Sequence, residues 1–189
     1  MIPIQNIYYM LSYAFQILNE QGYRNIATEQ FNNTAELMAA ILEKGIANQL
    51  KRGLCKEYIP QTEALSSLRG KIDIAESIKT QSMLRKQLIC TYDEFSVNST
   101  MNQIIKSTVE LLLCSNISKK RKKNLRKLMI YFGEVDFIDL HTVNWNVQYN
   151  RNNQTYRMLI SICYLVVKGL LQTQSDGSKK LMDFLDEQR

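Results

Sequence analysis

The spacing of apolar residues changes along this chain, from helical at both ends to strand-like in the middle. Residues such as Ile7, Leu11 and Phe15 recur every three or four positions and predict a first amphipathic helix, which Gly22 would end. Over residues 54–97 apolar and polar positions mix at a period of two instead. This switch predicts an α+β fold, with helices packed around a small antiparallel sheet that has a projecting β-hairpin.

Helical spacing returns on both sides of the central segment. A second helix is predicted over residues 28–52, with Gly53 as its terminator. Thr100, followed by Gln103 in a capping-box arrangement, begins the next helix. A basic helix and a last, buried helix over residues 155–171 follow.

Three strands are predicted in the middle of the chain, near residues 56–59, 68–74 and 87–97. Pro60 restricts the first strand to an edge or an end of the sheet, because proline cannot donate to the ladder. Asp93 and Glu94 indicate a bulge or bend in the third strand. The polar stretch 76–86 is either the tip of a long hairpin or a small exposed helix.

Composition limits the class of protein. The 189 residues are 45% apolar with only 2 Pro and 7 Gly, which fits one large domain or two small ones without a long flexible linker. The net charge of +6 favours nucleic acid or another acidic partner. The four cysteines form no Cys-x-x-Cys pair, which predicts reduced, mostly buried thiols of a cytoplasmic protein. The longest apolar run, 158–167, is too short to cross a membrane.

The sequence contains no recognisable catalytic or metal-binding motif. A phosphate-binding loop of the G-x-x-x-x-G-K-[ST] type is missing, and His141 is the only histidine. A PD-(D/E)xK nuclease needs an acidic residue two positions before a lysine, and none of the 18 Asp and Glu residues stands there. Acidic pairs such as Asp73 and Glu76 are interpreted as helix caps and solvated edges. We therefore predict no catalytic residue and no metal ligand in this chain.

The densest charged feature is a basic run that opens the fourth predicted helix. It consists of Lys119, Lys120, Arg121, Lys122 and Lys123. Such a run can neutralise DNA phosphates, or it can simply be a solvated segment between helices. The sequence leaves both interpretations open.

Several short motifs, in this order and spacing, resemble the McrC family of modification-dependent restriction systems. The opening segment Asn6-Ile7-Tyr8-Tyr9-Met10-Leu11 is similar to the family's N-terminal signature. Arg69-Gly70-Lys71-Ile72-Asp73 and Asn102 through Thr108 resemble two later family segments. Gln5 and Gln103 depart from the pattern, since the family commonly has arginine at both positions.

The resemblance implies a function divided between subunits. In such systems the N-terminal part of McrC enters the pore of a hexameric AAA+ GTPase, McrB, and stimulates GTP hydrolysis. McrB reads 5-methylcytosine, and a C-terminal PD-(D/E)xK domain of McrC cuts the foreign DNA. Residues 1–175 would then be the McrB-binding domain, and 176–189 a linker towards a nuclease domain outside this chain. GTP and Mg²⁺ would belong to the partner and to that nuclease domain, and this chain would need no cofactor.

Four cations in the central segment are the candidates for contacting acidic residues of the ring: Lys71, Lys79, Arg85 and Lys86. If this chain binds the ring, its contact with DNA is expected to be indirect or weak. One alternative is a stand-alone DNA-binding module that uses the basic segment 119–127. A purely structural scaffold is the third possibility. No membrane partner is expected.

Overall fold

The computed structural model of the chain describes residues 4–15, 18, 23, 26, 29–151 and 153–171. The chain divides into two compact units. A helical unit contains the chain up to Cys55 and from Thr100 onward, and a sheet unit contains Lys56–Ser99. The predicted α+β class is confirmed. The predicted boundary at residue 175, the linker 176–189 and the terminator Gly22 lie outside the described residues.

Six α-helices occur among the described residues: α1 (Ile4–Ala14), α2 (Thr34–Arg52), α3 (Ile74–Lys79), α4 (Thr100–Cys114), α5 (Lys119–Met129) and α6 (Tyr156–Leu171). The strands are β1 (Glu57–Leu65), β2 (Lys71–Asp73) and β3 (Leu88–Ser96). Short 3-10 turns cover Ser82–Arg85 and Ile130–Phe132. Within these described elements, no helix has both the length and the apolar character needed to span a bilayer.

Local capping sets the ends of α2. The helix begins at Thr34 rather than at residue 28, because the side chain of Asn33 accepts a hydrogen bond from the backbone N–H of Glu36 at 2.7 Å. It ends before Gly53, as predicted. The N–H of Gly53 donates to the carbonyl of Leu50 at 3.2 Å, and its φ of 92° suits glycine.

The core of the helical unit lies between α2, α4 and α6, with α5 packed against α2 and α4. Its fully buried side chains include Leu37, Ile41 and Leu42 of α2; Ile104, Ile105 and Leu112 of α4; and Leu159, Ile162 and Cys163 of α6. Each buried leucine or isoleucine contributes about 1.5–3 kcal/mol of transfer free energy. The inward faces predicted from helical spacing are therefore the faces that pack.

A buried hydrogen-bond network joins distant parts of the helical unit around Tyr156. The hydroxyl of Tyr156 donates to Oδ1 of Asn102 at 2.8 Å and accepts from the backbone N–H of Cys55 at 2.8 Å. The side-chain amide of Asn102 donates to the carbonyl of Cys55 at 2.9 Å. The segment after α2, at Cys55, is thereby hydrogen-bonded to the starts of α4 and α6.

The sheet unit is a three-stranded antiparallel sheet in the order β1-β3-β2. β1 pairs with β3 along its whole length, from Glu57 opposite Ser96 to Leu65 opposite Leu88. Pro60 lies in edge strand β1, as predicted. The pairing of β1 with β3 continues without a bulge at Asp93 and Glu94, which lie opposite Pro60 and Ile59, and both carboxylates are exposed.

The sheet unit has almost no apolar interior. Among the hydrophobic residues of Lys56–Ser99, Cys90 is the one that is buried. Several others, such as Ile59, Ile72 and Leu88, are half-buried, and seven large apolar side chains are exposed, namely Tyr58, Leu68, Ile74, Ile78, Met83, Leu84 and Phe95. Backbone ladders and side-chain hydrogen bonds, rather than a core, therefore hold this unit together.

Candidate functional site

The connection between β2 and β3, residues 74–87, is called the tip below. It contains α3 and a 3-10 turn, so the small-helix alternative for this stretch is the one observed. The carboxylate of Asp73 starts α3 by accepting a hydrogen bond from the N–H of Glu76 at 2.9 Å. Gln81 and Lys86 flank the 3-10 turn with φ of 54° and 56°. The tip is thus a folded cap with defined ends.

Two buried serines order the tip, and one of them, Ser77, fastens it to the sheet. The hydroxyl of Ser77 donates to the carbonyl of Asp73 at 2.6 Å and accepts from the N–H of Ile89 in β3 at 2.7 Å. The hydroxyl of Ser82 donates to the carbonyl of Ser77 at 3.3 Å. Because these polar groups are shielded and satisfied, little conformational freedom remains to be lost when a partner binds.

The outer surface of the tip carries four large apolar side chains: Ile74, Ile78, Met83 and Leu84. Leu84 is 81% exposed. Ile74 and Ile78 are four residues apart and therefore lie on one face of α3. Clustered apolar side chains at the surface of a single chain mark sites of protein interaction. The tip has the composition of a docking surface.

All four predicted partner-binding cations are exposed. Lys79, Arg85 and Lys86 lie in the tip, beside its apolar side chains, and Lys71 lies on β2 opposite Thr91. Lys79 forms a solvent-exposed ion pair with Glu76 at 3.4 Å. The structure brings three of the four candidates together and leaves the fourth on the neighbouring strand.

Sequence reasoning singled out the cations of this segment and missed its apolar residues. It interpreted 76–86 as polar, because charged residues outnumber apolar ones there. The signal that was available is the four-residue spacing of Ile74 and Ile78, followed by the adjacent pair Met83 and Leu84. Apolar side chains that recur at helical spacing but stay exposed are typical of a helix that docks on a partner.

The basic run of the helical unit divides into one inward and several outward side chains. Arg121 is 15% exposed and bonds to three carboxylates, which belong to Glu29 at 2.9 Å, Glu36 at 3.1 Å and Glu43 at 2.8 Å. Burial alone would lower the pKa of Arg121, but these carboxylates outweigh it and raise the pKa. Arg121 therefore fastens α5 to α2 and is not available to a phosphate.

Glu36 is the centre of this cluster. Its carboxylate accepts from the N–H of Ser118 at 2.7 Å, from the hydroxyl of Ser118 at 2.8 Å and from Arg121. Burial would raise the pKa of Glu36, yet the hydrogen bonds and the guanidinium together lower it. The ionised form is thus the one that the fold stabilises.

The other candidates of the basic run form no ion pair with this cluster. Lys119, Lys120 and Lys123 are exposed, and Lys122 is half-buried. Arg126 and Lys127 of the same helix are exposed as well. The side chains of this group have no carboxylate within 4.0 Å in the part of the chain that the structure describes.

The metal-ligating and nucleophilic side chains of the described residues are dispersed. In the described ranges, no three His, Cys, Asp or Glu residues are grouped so that they could hold a metal ion. Cys90 and Cys163 are buried and Cys55 is half-buried, as expected for reduced structural thiols, whereas Cys114 is exposed, which was not expected. Burial raises the pKa of Cys163 to about 12, so its thiolate is not accessible as a nucleophile.

Comparison with known proteins places the two units in a family. Residues 5–187 match the family described as the McrBC 5-methylcytosine restriction system component. The chain belongs to this family. The match covers nearly the whole sequence, and it confirms the resemblance that the short motifs indicated.

Relatives of this McrBC-family chain are longer than it is. The type IV methyl-directed restriction enzyme EcoKMcrBC of Escherichia coli strain K12 is 30% identical over 191 residues, which are 97% of this chain and 53% of the relative. The chain therefore spans about half the length of the curated relative that it matches.

Solved structures share the fold. The Thermococcus gammatolerans McrBC complex, solved by cryo-electron microscopy, matches with a TM-score of 0.64 at 22% identity, over 86% of this chain and 50% of that one. A half-complex from an assembly of McrB AAA+ hexamers with bound McrC, from the same organism, matches with a TM-score of 0.61 at 20% identity, over 82% and 40%.

Proposed function

We propose that this chain acts as a McrC-like subunit of a modification-dependent restriction system and that its tip binds a McrB-like AAA+ GTPase ring and stimulates it. Family membership supports the restriction role, and the fold shared with McrBC assemblies supports a ring as the partner. The observation that carries the proposal is the exposed apolar tip on a unit that lacks a core of its own.

Energetics favour several tip residues acting together. Fully burying one isoleucine, leucine or methionine side chain is worth about 1.5–3 kcal/mol. Association costs roughly 4–15 kcal/mol in lost translational and rotational freedom. One side chain cannot offset that cost, whereas four on a preformed cap can contribute substantially towards it. Lys79, Arg85 and Lys86 belong to the same short segment as these apolar residues and would steer it towards acidic loops of the ring.

The test is capture of a McrB-like AAA+ protein from the same organism, with GTP turnover measured in parallel. The double substitution Ile78→Asp with Leu84→Asp should weaken ring binding at least tenfold, because it would bury two carboxylates against apolar surface. Ile130→Asp is the matched control, since Ile130 is 75% exposed but belongs to the helical unit. Failure of the unaltered chain to bind the ring would overturn the proposal.

Substituting Lys79, Arg85 and Lys86 by serine separates steering from docking. These cations lie at the rim of the apolar surface, so we expect slower association and weaker salt dependence while the dissociation rate changes little. Surface plasmon resonance at two salt concentrations measures both rates. Unchanged association would remove these three residues from the mechanism.

We also propose that this chain by itself does not cut DNA, and that cleavage needs the nuclease part found in longer family members. The support is the missing acidic-x-lysine sequence. Supercoiled plasmid incubated with pure chain and Mg²⁺ or Mn²⁺ should stay intact. Cleavage that disappears in Asp73→Asn or Asp136→Asn would contradict this expectation. Under this proposal, other parts of the system bind GTP and Mg²⁺ and recognise methylated DNA.

A further inference from the structure

The outward face of α5 concentrates positive charge that no ion pair among the described residues compensates. Its members are Lys119, Lys120, Lys122, Lys123, Arg126 and Lys127, and the term basic face is used for these six. The helix Lys119–Met129 contains no acidic residue. Its one compensated cation, Arg121, points the other way into the carboxylate cluster. The fold thereby orients the basic face towards solvent.

This arrangement is electrostatically unfavourable for an isolated chain. Lysines three and four positions apart, such as Lys119 with Lys123 and Lys123 with Lys127, repel one another on the helix surface. Lys119 and Lys120 also occupy the first turn, where the helix dipole disfavours positive charge. A polyanion bound along the face would offset both the repulsion between the lysines and their unfavourable interaction with the helix dipole.

We propose that the basic face of α5 is a surface that binds the phosphate backbone of duplex DNA. Lys119 and Lys127 are eight residues apart, which is about 12 Å along the helix axis. The major groove of DNA is about 12 Å wide, so one helix face can reach phosphates on both sides of it. The basic face belongs to the helical unit and the tip to the sheet unit, and the inference does not rest on the proposed ring binding.

The chemistry of the face favours a nucleic acid over an acidic protein. Its exposed positions between Lys119 and Lys127 carry only lysine and arginine, without an apolar side chain to form a desolvated centre. Lysine is depleted in protein–protein interfaces, whereas lysine and arginine supply the phosphate contacts of DNA-binding proteins. The helix also contains no aromatic residue on which an unpaired base could stack, which favours duplex over single strands.

The experiment measures binding of a fluorescein-labelled duplex of mixed sequence by anisotropy, across a range of salt concentrations. The test variant replaces Lys119, Lys123, Arg126 and Lys127 by glutamine. The control variant replaces Lys71, Lys79, Arg85 and Lys86 by glutamine, which removes the same four side-chain types from the sheet unit. Both variants lower the net charge equally, so only the place of the charge differs.

We expect the unaltered chain to bind DNA with an affinity that falls steeply with salt. The test variant should bind at least tenfold more weakly at low salt, with a salt slope reduced by roughly 3–4, whereas the control should change less than about twofold. A second variant with Lys119, Lys123 and Lys127 replaced by arginine should keep the binding. Thermal melting of the test variant should be unchanged or higher, since repulsion is relieved.

Three results would overturn the inference. Absence of salt-dependent DNA binding by the unaltered chain is the first. Equal losses in the test and control variants would show that net charge, not this surface, matters. Loss of ring binding with intact DNA binding in the test variant would assign the face to an acidic protein. Because ring capture is a separate measurement, failure here leaves the proposed function untouched, and the converse also holds.

Discussion

Replacing Arg121 by alanine should destabilise the helical unit by about 2–4 kcal/mol. Removing one partner of a buried ion pair costs about 3–5 kcal/mol, because the remaining charge loses its compensation. Glu36 and Glu43 are largely shielded, but Glu29 is half exposed and adds little, so the expected value lies slightly lower. Urea unfolding followed by circular dichroism measures the change. Lys120→Ala, an exposed neighbour in the same helix turn, should stay within about 0.5 kcal/mol of the unaltered chain.

The same network gives the stability a defined response to acid. The folded-state pKa of Glu36 lies below its ordinary value of 4.5, so its ionisation stabilises the fold above that value. This contribution is lost as the pH falls through the lowered folded-state pKa. Arg121→Ala should weaken that acid dependence, because the guanidinium helps to lower the pKa. Equal acid profiles and equal unfolding free energies for Arg121→Ala and Lys120→Ala would contradict the role assigned to the cluster.

Gly70→Ala should reduce stimulation of the ring GTPase to the ring's basal rate. Gly70 has a φ of 68°, which costs other residues about 1–2 kcal/mol. A Cβ there would lie 2.3 Å from the carbonyl oxygen of Thr91 and 2.7 Å from Cβ of Tyr92. The backbone must therefore move, which separates β2 from β3 and releases the start of the tip. GTP turnover and limited proteolysis of the sheet unit measure the result.

A matched variant isolates the collision from the backbone strain. Gly53 also has a positive φ, of 92°, but a Cβ there would meet nothing within 4 Å. Gly53→Ala should therefore show the strain alone and keep most of the stimulation. If the two alanine variants behave alike, close approach to β3 is not the reason for glycine at position 70.

Helical parts of the fold were predictable because their apolar spacing reports a buried face directly. α4 begins at the predicted Thr100, and α6 begins and ends within about one residue of its predicted limits, since both pack into the core. β1 was predicted to end at Ile59 but continues to Leu65. Its second half contains Gln61, Thr62 and Glu63, which remain largely exposed in the ribbon. Without a buried face, a strand leaves no alternation for sequence analysis to detect.

The division of the basic run was beyond local reasoning for a different reason. Arg121 differs from its neighbours only through contacts with residues some eighty to ninety positions earlier in the chain. A signal existed on the partner side, where Glu29, Glu36 and Glu43 are spaced by seven. Between Glu36 and Glu43 that interval is nearly two turns of α2 and brings both carboxylates to one side of the helix, whereas Glu29 precedes the helix. The spacing of these glutamates indicates that a cation binds there, but it does not identify Arg121 as that cation.

The network around Tyr156 has a consequence for how such a chain can arise and vary. Cys55 and Asn102 are directly hydrogen-bonded, so the helical unit is left and rejoined at adjacent points. Segments inserted between neighbouring points add little loop-closure entropy, and that entropy grows only slowly with the length of the insert. The sheet unit is thus an insertion that the helical unit can tolerate in many lengths and sequences. Residues of the sheet unit that contact a partner can therefore change without altering the core residues that fold the helical unit.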